Sequence, residues 1–251
     1  MPRGAREKSS TGIYHVVMRG INKQIIFNDD EDRQFYLAKV KEYKKTCGYE
    51  IYAYCLMNNH IHLLMKEGIN SLGISFRRIG ASYVYWYNWK YDRVGHLFQD
   101  RYKSEAVEDD KYFLTVLRYI HQNPFKAGLI NDLNYPWSSY REYIQKPIIC
   151  NIELALNMFS KEQTEAKRLW ADFNQAINDD LCLDINEKRR LGNREAVEII
   201  KTIAAVKDPK EVGLFEGKHL TSVIQKFKKE GLSIRQIETL TGISFWKIRK
   251  V

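Results

Sequence analysis

The chain has 251 residues, 44% hydrophobic and 28% charged, a composition that supports a folded core and excludes disordered and fibrous classes. Forty Lys and Arg against 31 Asp and Glu give a net charge of +9, which favours an anionic partner, and the 16 Tyr and five Trp suit either stacking on bases or filling a core. Charges cut every apolar run short of the roughly 18 residues a membrane span needs, the start lacks an apolar leader, and Cys47, Cys55, Cys150 and Cys182 form no CxxC pair, so reduced thiols in a cytoplasm are expected.

Gly12–Met18 (GIYHVVM) reads as a strand, and Asp29–Tyr43 as an amphipathic helix capped by Asp29 or Asp30. Glu50–Met57 and His60–Lys66 are two strand-like runs joined by Asn58-Asn59, a pair whose tolerance of positive φ suits a tight hairpin. Ile69–Tyr91 reads as a long helix and Tyr102–Val107 as a short strand. A helix from about Lys111 should stop at Asn123, because Pro124 disfavours helical backbone before it. This order matches a split βαβ, ferredoxin-like antiparallel sheet with helices on one face, an α+β fold.

Two places carry residues fit for chemistry. In a strand, His60 and His62 point to the same side with Cα atoms ~7 Å apart, so both imidazoles can converge on one divalent cation while Ile61 enters the core. Alone, an HxH is weak evidence, and solvation or hydrogen bonding on a polar sheet face explains the pair better; a zinc site with Cys47 or Cys55 is conceivable although the spacing is unfamiliar. Tyr119 and Asn123 lie one helical turn apart and project together, pairing a phenol able to attack a phosphate with an amide oxygen suited to a hard cation. Taken alone, they read better as a buried aromatic with a satisfied hydroxyl and a polar residue near a helix end. His121 falls on another helical face, a poor position for a base serving Tyr119.

GIYHVVMRG, AYCLMNNHIHLLM, GHLFQDRYKS and YIHQNPFKAGL with a following WSS together resemble the Y1 transposase family of HUH nucleases, in its REP-associated branch, over residues 10–140. The resemblance implies the HUH endonuclease fold and makes His60, His62 and Asn123 ligands of Mg²⁺ or Mn²⁺ and Tyr119 the nucleophile. Other members carry glutamine where Asn123 stands. The implied activity is metal-dependent cutting and joining of single-stranded DNA at REP-like hairpins through a 5′-phosphotyrosine, by a nucleoid-associated protein acting as monomer or homodimer.

The catalytic domain is expected over 1–146, a helical spacer over 147–187, and an all-α DNA-binding domain over 188–251. Lys218–Val251 holds eight basic and two acidic residues, and its LSIRQIETLTGISFWKIR resembles a helix-turn-helix. Ser233 would cap the first helix, Gly242 make the turn, and Ile243 and Ile248 anchor the second helix. Arg235, Phe245, Trp246, Lys247, Arg249 and Lys250 would meet duplex DNA. Glu238 departs from the small residue usual at its position. Two other functions compete: a DNA-binding regulator without catalysis, and an RNA-binding module on the sheet, although no strand carries the stacking aromatics the latter uses.

Overall fold

A computed structural model describes residues 7–183 and 193–251. The chain divides into two compact units, Met1–Ile185 and Asn186–Val251. The boundary expected between 187 and 188 lies outside the described residues.

In the first unit, strands β1 (Ile13–Arg19), β2 (Glu50–Leu56), β3 (His60–Lys66) and β4 (Lys103–Ala106) form one antiparallel sheet in the order β2-β3-β1-β4. That is the split βαβ arrangement the sequence predicts. Helix α1 (Asp30–Cys47) starts at a capping box in which Asp29 and Asp32 each accept the other's backbone N–H. It ends at Gly48 with φ 70, where Gly68 packs so closely that a Cβ on it would lie 2.2 Å from the Gly48 carbonyl carbon.

Helix α2 (Leu72–Lys90) packs beside α1 through Tyr36 and Tyr83, whose rings meet edge to face at 5.3 Å. Tyr36 also donates to Met18 Sδ, which places this helical layer on the sheet face of Tyr14, Val16 and Met18. Helix α3 (Asp110–Lys126), capped by Asp109, covers the opposite face, where Tyr119 meets His62. The sheet is therefore covered on both faces, not on one. The apolar residues of α3 explain this: Phe113, Val116, Leu117 and Ile120 are all buried and need a sheet surface of their own.

Helix α3 also runs through Pro124 instead of stopping at Asn123. The proline sits in the last turn, where it forfeits a single backbone bond while the Asn123 and Pro124 carbonyls still accept from Ala127 and Leu129.

The described part of the stretch read as a spacer, residues 147–183, contributes to the first unit's core. Helices α4 (Tyr140–Ile144), α5 (Glu153–Asn157) and α6 (Gln163–Gln175) follow α3, and Trp170 of α6 is 1% exposed, stacked on Tyr143 at 4.6 Å with 5° between planes. Its large indole and the bracing of Arg118 by Asp180 tie this stretch to α3, a packing role that a polar-looking sequence conceals. Buried Glu142 accepts from the backbone N–H groups of Ile148, Ile149 and Cys150 and from the Tyr54 hydroxyl, which fixes the turn after α4.

The second unit contains α7 (Asn193–Ala204), a 3-10 turn over Pro209–Leu214, α8 (Gly217–Lys229), α9 (Ile234–Thr241) and α10 (Phe245–Arg249). Ala196, Ile200, Val212, Leu220, Ile224, Phe227, Ile237 and Ile248 make its core. Among the described residues, no helix is long and apolar enough to cross a membrane.

Candidate active site

The hairpin between β2 and β3 is pinned from several sides. The Asn58 carbonyl accepts from Ile26 and Phe27, its side-chain oxygen accepts from Arg33 at 2.6 Å, and the Asn59 carbonyl accepts from Gly20. Neither asparagine takes a positive φ. The expected reason for Asn58-Asn59 is thus replaced by another: their backbone and side-chain groups anchor the turn that presents His60.

Register then decides which side chains share a face. Val17 lies opposite His62 and Arg19 opposite His60, while His15 lies opposite Leu64. His15, Arg19, His60 and His62 therefore all point toward α3. The His60 and His62 rings lie 5.0 Å apart, and Tyr119 meets the His62 ring edge to face at 5.6 Å. The sequence-predicted pair and nucleophile thus come together. Asn123 is half-buried one turn beyond Tyr119 on α3.

Each imidazole has one nitrogen held by a neighbour. Asn59 Oδ1 lies 2.7 Å from His60 Nδ1, so an Nδ1–H donating to it leaves the lone pair on Nε2. His62 is fully buried; desolvation, with His15 and His60 nearby, holds its pKa well below the usual histidine range. Its Nε2 is a buried nitrogen with no hydrogen-bond partner. Neutral imidazoles are the form a divalent ion requires. Among the described residues, no group of three or more His, Cys, Asp or Glu could hold a metal. The residues fit a divalent ion on the strength of the orphaned His62 Nε2.

The two cysteines of the zinc alternative have other contacts: Cys55, opposite His62, donates its thiol to Met57 Sδ, and the Cys47 sulfur accepts from Arg78. The rival tyrosines of this region have contacts away from the His60 and His62 imidazoles. The Tyr112 hydroxyl donates to Glu105, Tyr102 stacks with Phe76, and Tyr140 packs between His121 and Trp170. His121 is engaged elsewhere, with Asn174 Oδ1 at 3.1 Å and Ser139 Oγ at 2.9 Å, and burial lowers its pKa to about 4.

The WSS segment is structural. Ser139 Oγ accepts from Tyr54 N–H, and the backbone of 137–139 pairs with Tyr54 and Leu56, covering the outer edge of β2.

Sequence reasoning missed His15. It is fully buried, with Nε2 3.1 Å from His62 Nδ1, and burial lowers its pKa to about 3. The available signal was parity: His15 shares with Val17 and Arg19 the strand face opposite the apolar one.

In the second unit, Ser233 caps α9 and Gly242 ends it with φ 75. Ile243 and Ile248 are buried, while Arg235, Trp246, Lys247, Arg249 and Lys250 are exposed and Phe245 is half-buried. Glu238 has a purpose that the usual small residue would not serve, since its carboxylate accepts the Phe245 backbone N–H at 3.1 Å and so caps α10.

Residues 8–123 match the family model described as "Transposase IS200 like". A Haemophilus influenzae protein named for the REP-associated tyrosine transposases is 27% identical, over 42% of this chain and 69% of the relative. A solved structure of a REP-associated tyrosine transposase bound to a REP hairpin superposes with a TM-score of 0.51 at 18% identity, covering 61% of this chain and 90% of that one, which shows a shared fold.

Proposed function

We propose, because residues 8–123 match the family model described as "Transposase IS200 like", that this chain cuts and rejoins single-stranded DNA with Tyr119 as nucleophile, in DNA transposition and recombination. The observation that carries this reading is the contact of the Tyr119 ring with His62, whose Nε2 is buried and unpartnered. Tyr119 Oη attacks the scissile phosphorus in line, and the bond from phosphorus to the 3′ oxygen breaks. The phenol loses a proton and the departing oxygen gains one, leaving a 5′-phosphotyrosine and a free 3′-OH. The ester linkage is conserved, so attack by another 3′-OH reverses the step and joins strands without ATP. His60, His62 and Asn123 would hold Mg²⁺ or Mn²⁺, which supplies Lewis-acid withdrawal of charge from the phosphate. The chain's own contribution is position: α3 and the sheet hold the phenol beside the imidazoles before DNA arrives.

The substrate follows from the solved relative, which binds a REP hairpin, and from the basic balance of this chain. A hairpin or other palindromic single strand is the proposed target. Arg235, Phe245, Trp246, Lys247, Arg249 and Lys250 of the second unit form a helix-turn-helix surface for flanking duplex, with the exposed Arg249 guanidinium 5.6 Å from the Trp246 ring.

The test is incubation with end-labelled hairpin oligonucleotides and Mn²⁺, with and without chelator, followed by denaturing electrophoresis. A covalent protein–DNA adduct that chelator abolishes is expected. Tight binding with neither adduct nor cleavage would overturn the reading in favour of a DNA-binding regulator.

A further inference from the structure

His15 is joined directly to the site. Its ring stacks on His62 at 5.3 Å with 28° between planes, and the Nε2 to Nδ1 distance of 3.1 Å is a hydrogen bond. The cause lies in the strand register. Val17 faces His62 across the β1–β3 pair, so His15, two residues earlier on the same face, meets His62 diagonally. Both rings are 0% exposed, and the remaining nitrogen of each, His15 Nδ1 and His62 Nε2, has no partner.

A neutral imidazole carries one proton, so this bond has two arrangements. If His62 Nδ1 donates to His15 Nε2, His62 Nε2 keeps a bare lone pair. If His15 Nε2 donates instead, the His62 proton sits on Nε2 and closes that nitrogen to a cation. Each arrangement leaves one N–H and one lone pair unmet inside the protein, and only the first makes His62 a ligand.

Resting on the metal reading above, we propose that His15 is a positioning residue: its Nε2 accepts from His62 Nδ1 and so fixes the tautomer and ring direction with which His62 binds the divalent ion. Metal-bound histidines depend on such an outer acceptor, and its loss costs about 10- to 100-fold in metal affinity. His15 supplies here an acceptor that in other sites a carboxylate or carbonyl supplies.

Two variants test this. His15→Phe keeps a ring of similar size beside His62 and Tyr119 but has no acceptor, whereas His15→Gln offers an amide oxygen. Calorimetric titration with Mn²⁺ should show affinity reduced about 10- to 100-fold in His15→Phe and largely recovered in His15→Gln. Circular dichroism and thermal melting establish that both are folded. Independently of any variant, ¹⁵N NMR of the unaltered protein saturated with Mg²⁺ should place the His62 proton on Nδ1. A His62 proton on Nε2, or Mn²⁺ affinity in folded His15→Phe within twofold of the parent, overturns the proposal while leaving the metal site intact. Failure of the parent itself to bind Mn²⁺ overturns the metal reading, and this proposal with it.

Discussion

Replacement of Tyr119 by phenylalanine removes one oxygen and leaves the ring that packs edge to face against His15 at 5.9 Å and His62 at 5.6 Å. The side chain is 8% exposed, so truncation to alanine would open a cavity and cost about 3–5 kcal/mol, confusing loss of fold with loss of chemistry. Phenylalanine avoids that. Each hydrogen bond lost with the hydroxyl is worth about 1 kcal/mol, or a fall of roughly 2–4 °C in melting temperature for a chain of this size. Activity should change by far more, because no other atom at this position can form the phosphodiester. Cleavage and the covalent adduct should fall below detection, at least about 10⁴-fold, while hairpin affinity stays within about twofold. End-labelled oligonucleotide with Mn²⁺ on a denaturing gel reads adduct and cleavage, and a filter or anisotropy assay reads binding. An adduct persisting in Tyr119→Phe and vanishing in a Tyr102, Tyr112 or Tyr140 variant would refute the assignment, as would loss of DNA binding alongside cleavage.

His60→Ala and His62→Ala should each lower Mn²⁺ affinity and cleavage by orders of magnitude, whereas Asn123→Ala should be milder and partly rescued by excess Mn²⁺, since water replaces an amide oxygen more readily than an imidazole; titration calorimetry showing unchanged affinity in His60→Ala would remove the metal site. A chain ending at Ile185 should fold and still cut single strands, because the first unit closes there. An end point near Glu216 would instead divide the second core, stranding Ala196, Ile200 and Val212 from Leu220 and Ile237. The shortened chain should bind DNA with a shallower salt dependence, its log–log slope reduced by roughly 0.7–0.9 per lost phosphate contact, and the affinity loss should be greater for substrates with flanking duplex; equal losses on duplex-bearing and bare strands would argue against helix-turn-helix docking. Trp170→Ala should destabilise the first unit by about 3–5 kcal/mol although it lies in no motif, and an unchanged melting temperature would show that α6 is a detachable appendage.

Local pattern alone determined the strand and helix order, because alternation in GIYHVVM and HIHLLM and the Asp29 and Asp109 caps act within a few residues. It likewise paired His60 with His62 and Tyr119 with Asn123, since the periods of a strand and a helix are properties of the backbone. What it left open were contacts between residues far apart in the chain. That α3 covers the second sheet face, setting Tyr119 against His62, depends on how the apolar residues of α3 find an uncovered sheet surface. That Trp170 belongs to this core depends on Tyr143 and His121 being near it, which a polar helix sequence does not reveal. Asn58-Asn59 offered a turn from sequence, but the turn's anchorage comes from Gly20, Ile26, Phe27 and Arg33. His15 is the clearest case. On its own it is one histidine in an apolar strand, and only the antiparallel register of β1 with β3, 47 residues away, brings its Nε2 to His62 and gives a buried ring a partner.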